Sequence, residues 1–161
     1  MKKKIINLIA IYGLIILMGA GCSKENSYTW SEYVYGYVVG TFKCQLESNR
    51  NKFTPIGYCI LLENKSDSLK LFDFYTFNLS DKILNYSEVF SSPYFYNVNN
   101  CGPLLLYDSL RNKIKIRFQY RIISENEKIK FDCGPCSTMA LPFNWEYYKE
   151  VWLKDVKKVE K

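Results

Sequence analysis

The chain has no histidine in 161 residues. Without imidazole it has no Ser-His-Asp or Cys-His nucleophile system, no HExxH metalloprotease helix and no His-ligated catalytic zinc. Carboxylate, lysine and thiol chemistry remain. Asp73 is the one acid inside an apolar strand (LFDFY), and no second acid is spaced to form a glycosidase pair with it. It reads as a bulge or wet-face acid; an inward carboxylate with a raised pKa is the functional alternative. There is a single CxxC, Cys133 to Cys136, where strong zinc signals show paired units. No basic stripe marks a nucleic-acid partner, and nothing calls for a metal or a cofactor. There is no βαβ rhythm and no repeat.

What is present is a period of two. In Tyr33 to Leu46 (YVYGYVVGTFKCQL) one alternating set is Val34, Val38, Phe42, Cys44 and Leu46, with Gly36 and Gly40 between as points of bend or bulge. Gly57 to Glu63 and Leu69 to Phe77 read as further strands. Asp81 to Leu84 suits a helical turn, and Leu104 to Tyr107 a short strand. The cleanest signal is Lys113 to Ile123 (KIKIRFQYRII). Ile114, Ile116, Phe118, Tyr120 and Ile122 face one way, and Lys113, Lys115, Arg117, Gln119 and Arg121 the other. A turn over Ser124 to Glu127 would fold Lys128 to Cys133 back on it, setting Cys133 opposite Phe118. Tyr147 to Val156 suits a final strand or a helix, the strand being preferred. The pattern predicts an all-β fold, a single antiparallel sandwich or small barrel over residues 32–161. The 14 tyrosines and 10 phenylalanines suit half-buried sheet faces, and also suit carbohydrate sites.

The front of the chain reads MKKKIINLIAIYGLIILMGAGCSKEN. Lys2 to Lys4 form a basic start, Ile5 to Met18 an apolar core too short for a comfortable membrane span, and small residues lead into Cys22. This is the layout of a secretory signal peptide over residues 1–21. The junction Gly19-Ala20-Gly21-Cys22 resembles the lipobox of bacterial membrane lipoproteins, departing from it at Gly19, where leucine is usual. The resemblance implies acylation of Cys22, a partner in the membrane itself and a place in the cell envelope. Ser23 after the cysteine is compatible with the outer membrane of a Gram-negative bacterium. An ordinary secretory signal with an incidental cysteine is the alternative. Residues 22–31 would be the tether; the nine from Ser23 to Ser31 reach about 30 Å when extended. Removing residues 1–21 leaves 140, one domain, and lowers the formal charge from +6 to +3 because the leader carries three lysines and no acid.

Five cysteines remain: Cys44, Cys59, Cys101, Cys133 and Cys136. An exported chain permits disulfides, and an odd number leaves one thiol over. The midpoint of Cys44 and Cys59 falls on the polar turn at Asn51-Lys52, so a simple hairpin would set them opposite each other and bridge them. Cys101 would pair with Cys133 or Cys136, closing a loop of about 30 residues for roughly 3–4 kcal/mol. The tetrapeptide CGPC resembles the redox motif of thioredoxins, which implies a thiol–disulfide activity. Asp132 stands where that family usually has tryptophan, and a neighbouring carboxylate raises a thiol pKa. Only 25 residues follow Cys136.

Together these features point to a small, exported, lipid-anchored β-domain, a non-enzymatic binding or structural surface lipoprotein with a protein or glycan partner. A peptidase inhibitor presenting the loop from Asn78 to Asn100 is one option by fold analogy. A thiol–disulfide protein using CGPC is the alternative.

Overall fold

Nine residues from Val34 to Phe42 form β1, the strand that the alternation announces. The structure, a computed structural model, describes residues 29–64, 70–84, 95–97, 101–134 and 142–160. The signal segment, Cys22 and Cys136 lie outside the described residues. After β1 come β2 (Gln45–Leu46), β3 (Asn49–Phe53), β4 (Gly57–Leu62), β5 (Phe74–Thr76), a helical turn (Asp81–Leu84), β6 (Phe95–Asn97) and β7 (Leu104–Leu106). Then follow β8 (Lys115–Ile122), β9 (Phe131–Asp132) and β10 (Lys149–Lys158). The fold is all-β.

The main sheet runs β4-β5-β10-β8-β1, and β1 also pairs with β4, so five strands close into a small barrel. Closure removes the open edges of these strands. Four of its five pairings are antiparallel; β5 and β10 run parallel. Two short strands, β7 and β6, continue the sheet from β1. A second sheet, β3-β2-β9, stands apart.

A bulge in β1 gives the protein two cores. The register shifts between Val38 and Gly40, so parity changes within the strand. Val38 points into the barrel with Tyr58, Ile60, Phe74, Ile116, Phe118 and Val151. Val39 and Phe42 point outward instead, into a second cluster with Cys59, Phe72, Tyr75 and Leu105. The sequence pattern had set Phe42 on the same face as Val38; the extra residue of the bulge overturns that. At Gly40 the bare backbone matters. A Cβ there would lie 2.5 Å from Leu105 Cδ2 and 2.7 Å from the Leu104 carbonyl oxygen, so only glycine lets β7 come this close.

One expected pairing gives way to another. Lys128 to Cys133 does not fold back on β8. Both edges of β8 are taken, by β1 and by β10, and Phe131 and Asp132 pair with β2 instead. Cys133 therefore does not oppose Phe118. The expected strand at Leu69 to Phe77 narrows to Phe74–Thr76, because Asp73 interrupts it: its backbone N–H donates to the Ile60 carbonyl at 2.8 Å, and its carboxylate accepts from the Leu62 N–H at 2.7 Å. Asp73 thus satisfies the end of β4, a structural role. On β8 the alternation holds in direction but not in burial. Ile122 is on the inward side yet 52% exposed at the barrel end, whereas Arg121 is 7% exposed on the outer side.

Candidate functional site

Cys44 is bonded to Cys133, with Cα atoms 4.6 Å apart. The expected Cys44–Cys59 bridge is absent for a geometric reason. Residues between β1 and β4 form their own hairpin, β2 with β3, and Cys59 falls opposite Gly40. Cys59 is a fully buried free thiol, and burial pushes its pKa well up, so it is held as a neutral thiol. Cys101 is disulfide-bonded; its partner is not among the described residues, where Cys44 and Cys133 hold each other and Cys59 is free. A Cys101–Cys133 pairing is thereby corrected, and neither sulfur is available as a zinc thiolate. The first cysteine of CGPC is joined to Cys44 across two strands rather than to the cysteine three residues on.

The reason lies in register. Gln45 pairs with Asp132 and Leu46 with Phe131, and the next position along puts Cys44 against Cys133. Two further bonds support this end. The Thr54 N–H donates to the Cys44 carbonyl at 2.8 Å, and the Cys44 N–H donates to Thr54 Oγ1 at 3.2 Å. The Glu47 N–H donates to the Lys130 carbonyl at 3.2 Å, extending the β2–β9 pairing by one step.

The staple fixes Phe131 at the edge of a bed of rings outside the barrel. Trp145 is the hub. Its ring lies 4.4 Å from Phe42, 4.8 Å from Phe143, 5.2 Å from Phe131 and 5.5 Å from Tyr75. Phe72 stacks on Tyr148 at 3.9 Å. A short 3-10 turn, Trp145–Tyr147, aims these rings, and Asn144 Oδ1 caps it by accepting from the Glu146 N–H at 3.1 Å. The run FNWEYY (143–148) was the sequence signal for this bed, hidden inside a general excess of aromatics.

Over the bed lies a groove of about 420 Å³, floored by Tyr75, Phe131, Trp145 and Tyr148 and edged by Lys128 and Lys130. A larger hollow along Leu46 to Ser48 shares Lys128, Ile129 and Lys130 with it. The groove has the size of a ligand site, and its lining is mixed: four rings and Ile129 beside the charged side chains of Glu47, Glu125, Glu146, Lys128 and Lys130. Trp145 Nε1 is buried without a hydrogen-bond acceptor among the described residues. Behind the groove wall is Glu150, 1% exposed, whose carboxylate accepts from the Ile129 N–H at 3.2 Å. Burial pushes its pKa up to about 7. Burial also pushes the Tyr75 phenol well up, with the carboxylates of Glu150 and Glu125 adding to it. No residue type or spacing in the sequence pointed to Glu150; its burial comes from β10 lying between β5 and β8.

A second concentration of side chains lies on the outer face of β1, β8 and β10. Arg117 stacks over Tyr33 at 4.3 Å and Lys115 over Tyr35 at 5.0 Å, while Lys115 also pairs with Glu63. Arg121 lies 4.7 Å from the Trp152 ring and 6.0 Å from Trp30, and binds both oxygens of Glu127, at 2.8 and 3.0 Å. That clamp explains why an arginine on a wet face is buried. Of the loop from Asn78, most lies outside the described residues; Asn78 itself is pinned to β10, accepting from the Leu153 N–H at 2.9 Å and donating to its carbonyl at 2.8 Å.

Comparison with known proteins finds no family model, no curated protein and no solved structure that matches this chain.

Proposed function

We propose that this chain is an exported, lipid-anchored binding protein, non-enzymatic, acylated on Cys22 at the outer membrane, and that a protein or glycan partner is held in the groove over Trp145. The supporting observation is the staple. The Cys44–Cys133 disulfide holds Phe131 beside Trp145, so the ring floor of an open groove is set before any partner arrives. The missing histidine argues against the commoner hydrolytic chemistries. Engagement of Cys133 by Cys44 favours this reading over a redox one, since the sulfur that would attack is already bonded.

Three experiments test it. A photo-crosslinking residue at Lys130, compared with the same residue at Lys113, should capture a partner in intact cells from the groove position only. Identical products from both positions, or none from Lys130, count against the groove. For the anchor, Cys22→Ala should release the protein from the membrane fraction, and a variant that stays bound defeats the acylation. Insulin reduction by the wild-type protein, lost in Cys133→Ser, would favour the thiol–disulfide alternative.

A further inference from the structure

The chain enters the fold at the aromatic and cationic face. The Ser31 N–H donates to the Tyr120 carbonyl at 2.9 Å, the Tyr120 N–H donates to Ser31 Oγ at 2.9 Å, and Gln119 Nε2 donates to the Ser31 carbonyl at 2.9 Å. Trp30 lies among the cations of that face, 5.6 Å from Lys154 Nζ and 6.0 Å from the Arg121 guanidinium. From Cys22 to Thr29 is seven residues, a reach of about 25 Å at most. Whatever holds Cys22 is therefore held close to this face.

The face suits an anionic surface. Tyr33, Tyr35 and Trp152 are 47%, 42% and 46% exposed, three of the eight large apolar side chains most open to solvent among the described residues. Arg117 opposes Lys157 directly across β8 and β10, a like-charge pair on adjacent strands, which is unfavourable without a counter-charge. Three nearby acids are already engaged: Glu63 by Lys115, Glu127 by Arg121, and Asp155 Oδ2 by the Tyr33 hydroxyl at 3.3 Å; Glu32 is exposed at the start of the face. Arg117, Lys154 and Lys157 have no salt-bridge partner among the described residues. Exposed tryptophan and tyrosine beside unmatched cations is the composition of the membrane–water boundary. Sugar stacking is less well served, because the rings of Tyr33, Tyr35 and Trp152 already carry cations of the same chain.

We propose that the outer face of β1, β8 and β10 is the membrane-facing surface of the domain, docking on the anionic headgroups of the bilayer that anchors Cys22. The proposal rests on the lipid-anchor reading above. Docking here fixes the orientation of the barrel, and leaves the groove over Trp145, lined by other side chains, for the partner.

The test uses the mature protein purified from membranes, with its mass measured first. A mass without the acyl chains removes the anchor reading and this proposal with it. Acylated protein is then reconstituted in vesicles of phosphatidylcholine alone and of equal parts phosphatidylcholine and phosphatidylglycerol, each with a headgroup-region quencher lipid. Trp30 and Trp152 fluorescence should be quenched in the mixed vesicles, less in the neutral ones, and recover with salt. Trp152→Phe should lose most of the difference, whereas Trp145→Phe keeps it. Each neutralised cation should weaken docking about fivefold, and the Arg117→Gln, Lys154→Gln, Lys157→Gln variant on the order of a hundredfold. Because Lys154 and Lys157 are exposed, their double variant serves if Arg117→Gln misfolds. Acylated protein with no quenching, or with quenching that ignores the double variant and salt, overturns the docking face and leaves the anchor standing. A Trp152 response to soluble polygalacturonate, with no quenching on vesicles, overturns it in favour of an acidic glycan.

Discussion

Cys44 and Cys133 occupy the position next to the Gln45–Asp132 pair of β2 and β9, with Cα atoms 4.6 Å apart and a separation of 89 positions in sequence. A crosslink over that span removes about 4–5 kcal/mol of chain entropy from the unfolded state. Cys44→Ser or Cys133→Ser should each lower stability by roughly 2–5 kcal/mol, and the double variant by no more than either single one. Denaturant melts of the three variants measure this. Alkylation after unfolding without reductant should label Cys59 and spare both partners; label on Cys44 or Cys133 overturns the pairing.

The Phe42 ring lies across Gly57, its directly opposed neighbour on β4. A Cβ at position 57 would meet the ring at 2.3 Å. The ring has nowhere to retreat, since Trp145, Phe77, Phe131 and Tyr75 surround it at 4.4 to 5.6 Å. Gly57→Ala should therefore cost about 1–3 kcal/mol by overpacking. Combining it with Phe42→Leu should cost less than the two single losses added together. Strict additivity in the double-mutant cycle would show that the ring and the glycine do not meet.

Stability should fall on both sides of a weakly acidic optimum. Glu150 rises from its ordinary 4.5 to about 7, so between those values the native state keeps a proton that the unfolded chain has released. Stability from this group therefore declines as pH rises through that window. Glu127 behaves oppositely. The Arg121 guanidinium beside it lowers its pKa from 4.5 to about 2, so its contribution is present above about 4.5 and lost as pH falls toward 2. Around Glu150 are the Ile129 N–H, Lys128 and Tyr75; the Ile129 N–H, and after it Lys128, oppose the upward shift. Thermal melts against pH should show Glu150→Gln flattening the upper limb and raising the melting temperature above pH 7, and Glu127→Gln flattening the lower limb. An unchanged upper limb in Glu150→Gln would mean that the carboxyl is not protonated in the native state.

Asn78 acts as one more strand residue beside Leu153. Its side chain both accepts from and donates to the Leu153 backbone, and Leu153 is 5% exposed. Asn78→Ala should cost about 1–3 kcal/mol, because it leaves a buried N–H and a buried carbonyl unpaired. Asn78→Asp should recover part of the loss by keeping the acceptor. Hydrogen exchange at the Leu153 amide should accelerate in the alanine variant and much less in the aspartate one.

Strand identity was legible in the sequence where one face is buried and the other wet. β1 and β8 fall where period two placed them; β4, β7 and β10 overlap the other segments expected as strands, and Asp81–Leu84 forms the expected helical turn. Pairing was not legible. The hairpin expected after β8 fails because β10, remote in sequence, takes the edge that Phe131 and Asp132 were expected to fill. The disulfide followed the same logic: adjacency along the chain suggested Cys59 for Cys44, and the β2–β9 register supplied Cys133.

What the amino-acid sequence determined by itself is local and periodic: an all-β chain, the cation-bearing face of β8, and the exclusion of histidine chemistry. Such properties need only neighbours along the strand, and alternation records them. The tertiary structure alone decided closure of the barrel through β1 and β4, the parity change at Val39, the Cys44–Cys133 bond, and the burial of Glu150 and Arg121. Each depends on which remote strand lies alongside, an outcome of packing competition among many apolar faces that no single segment encodes.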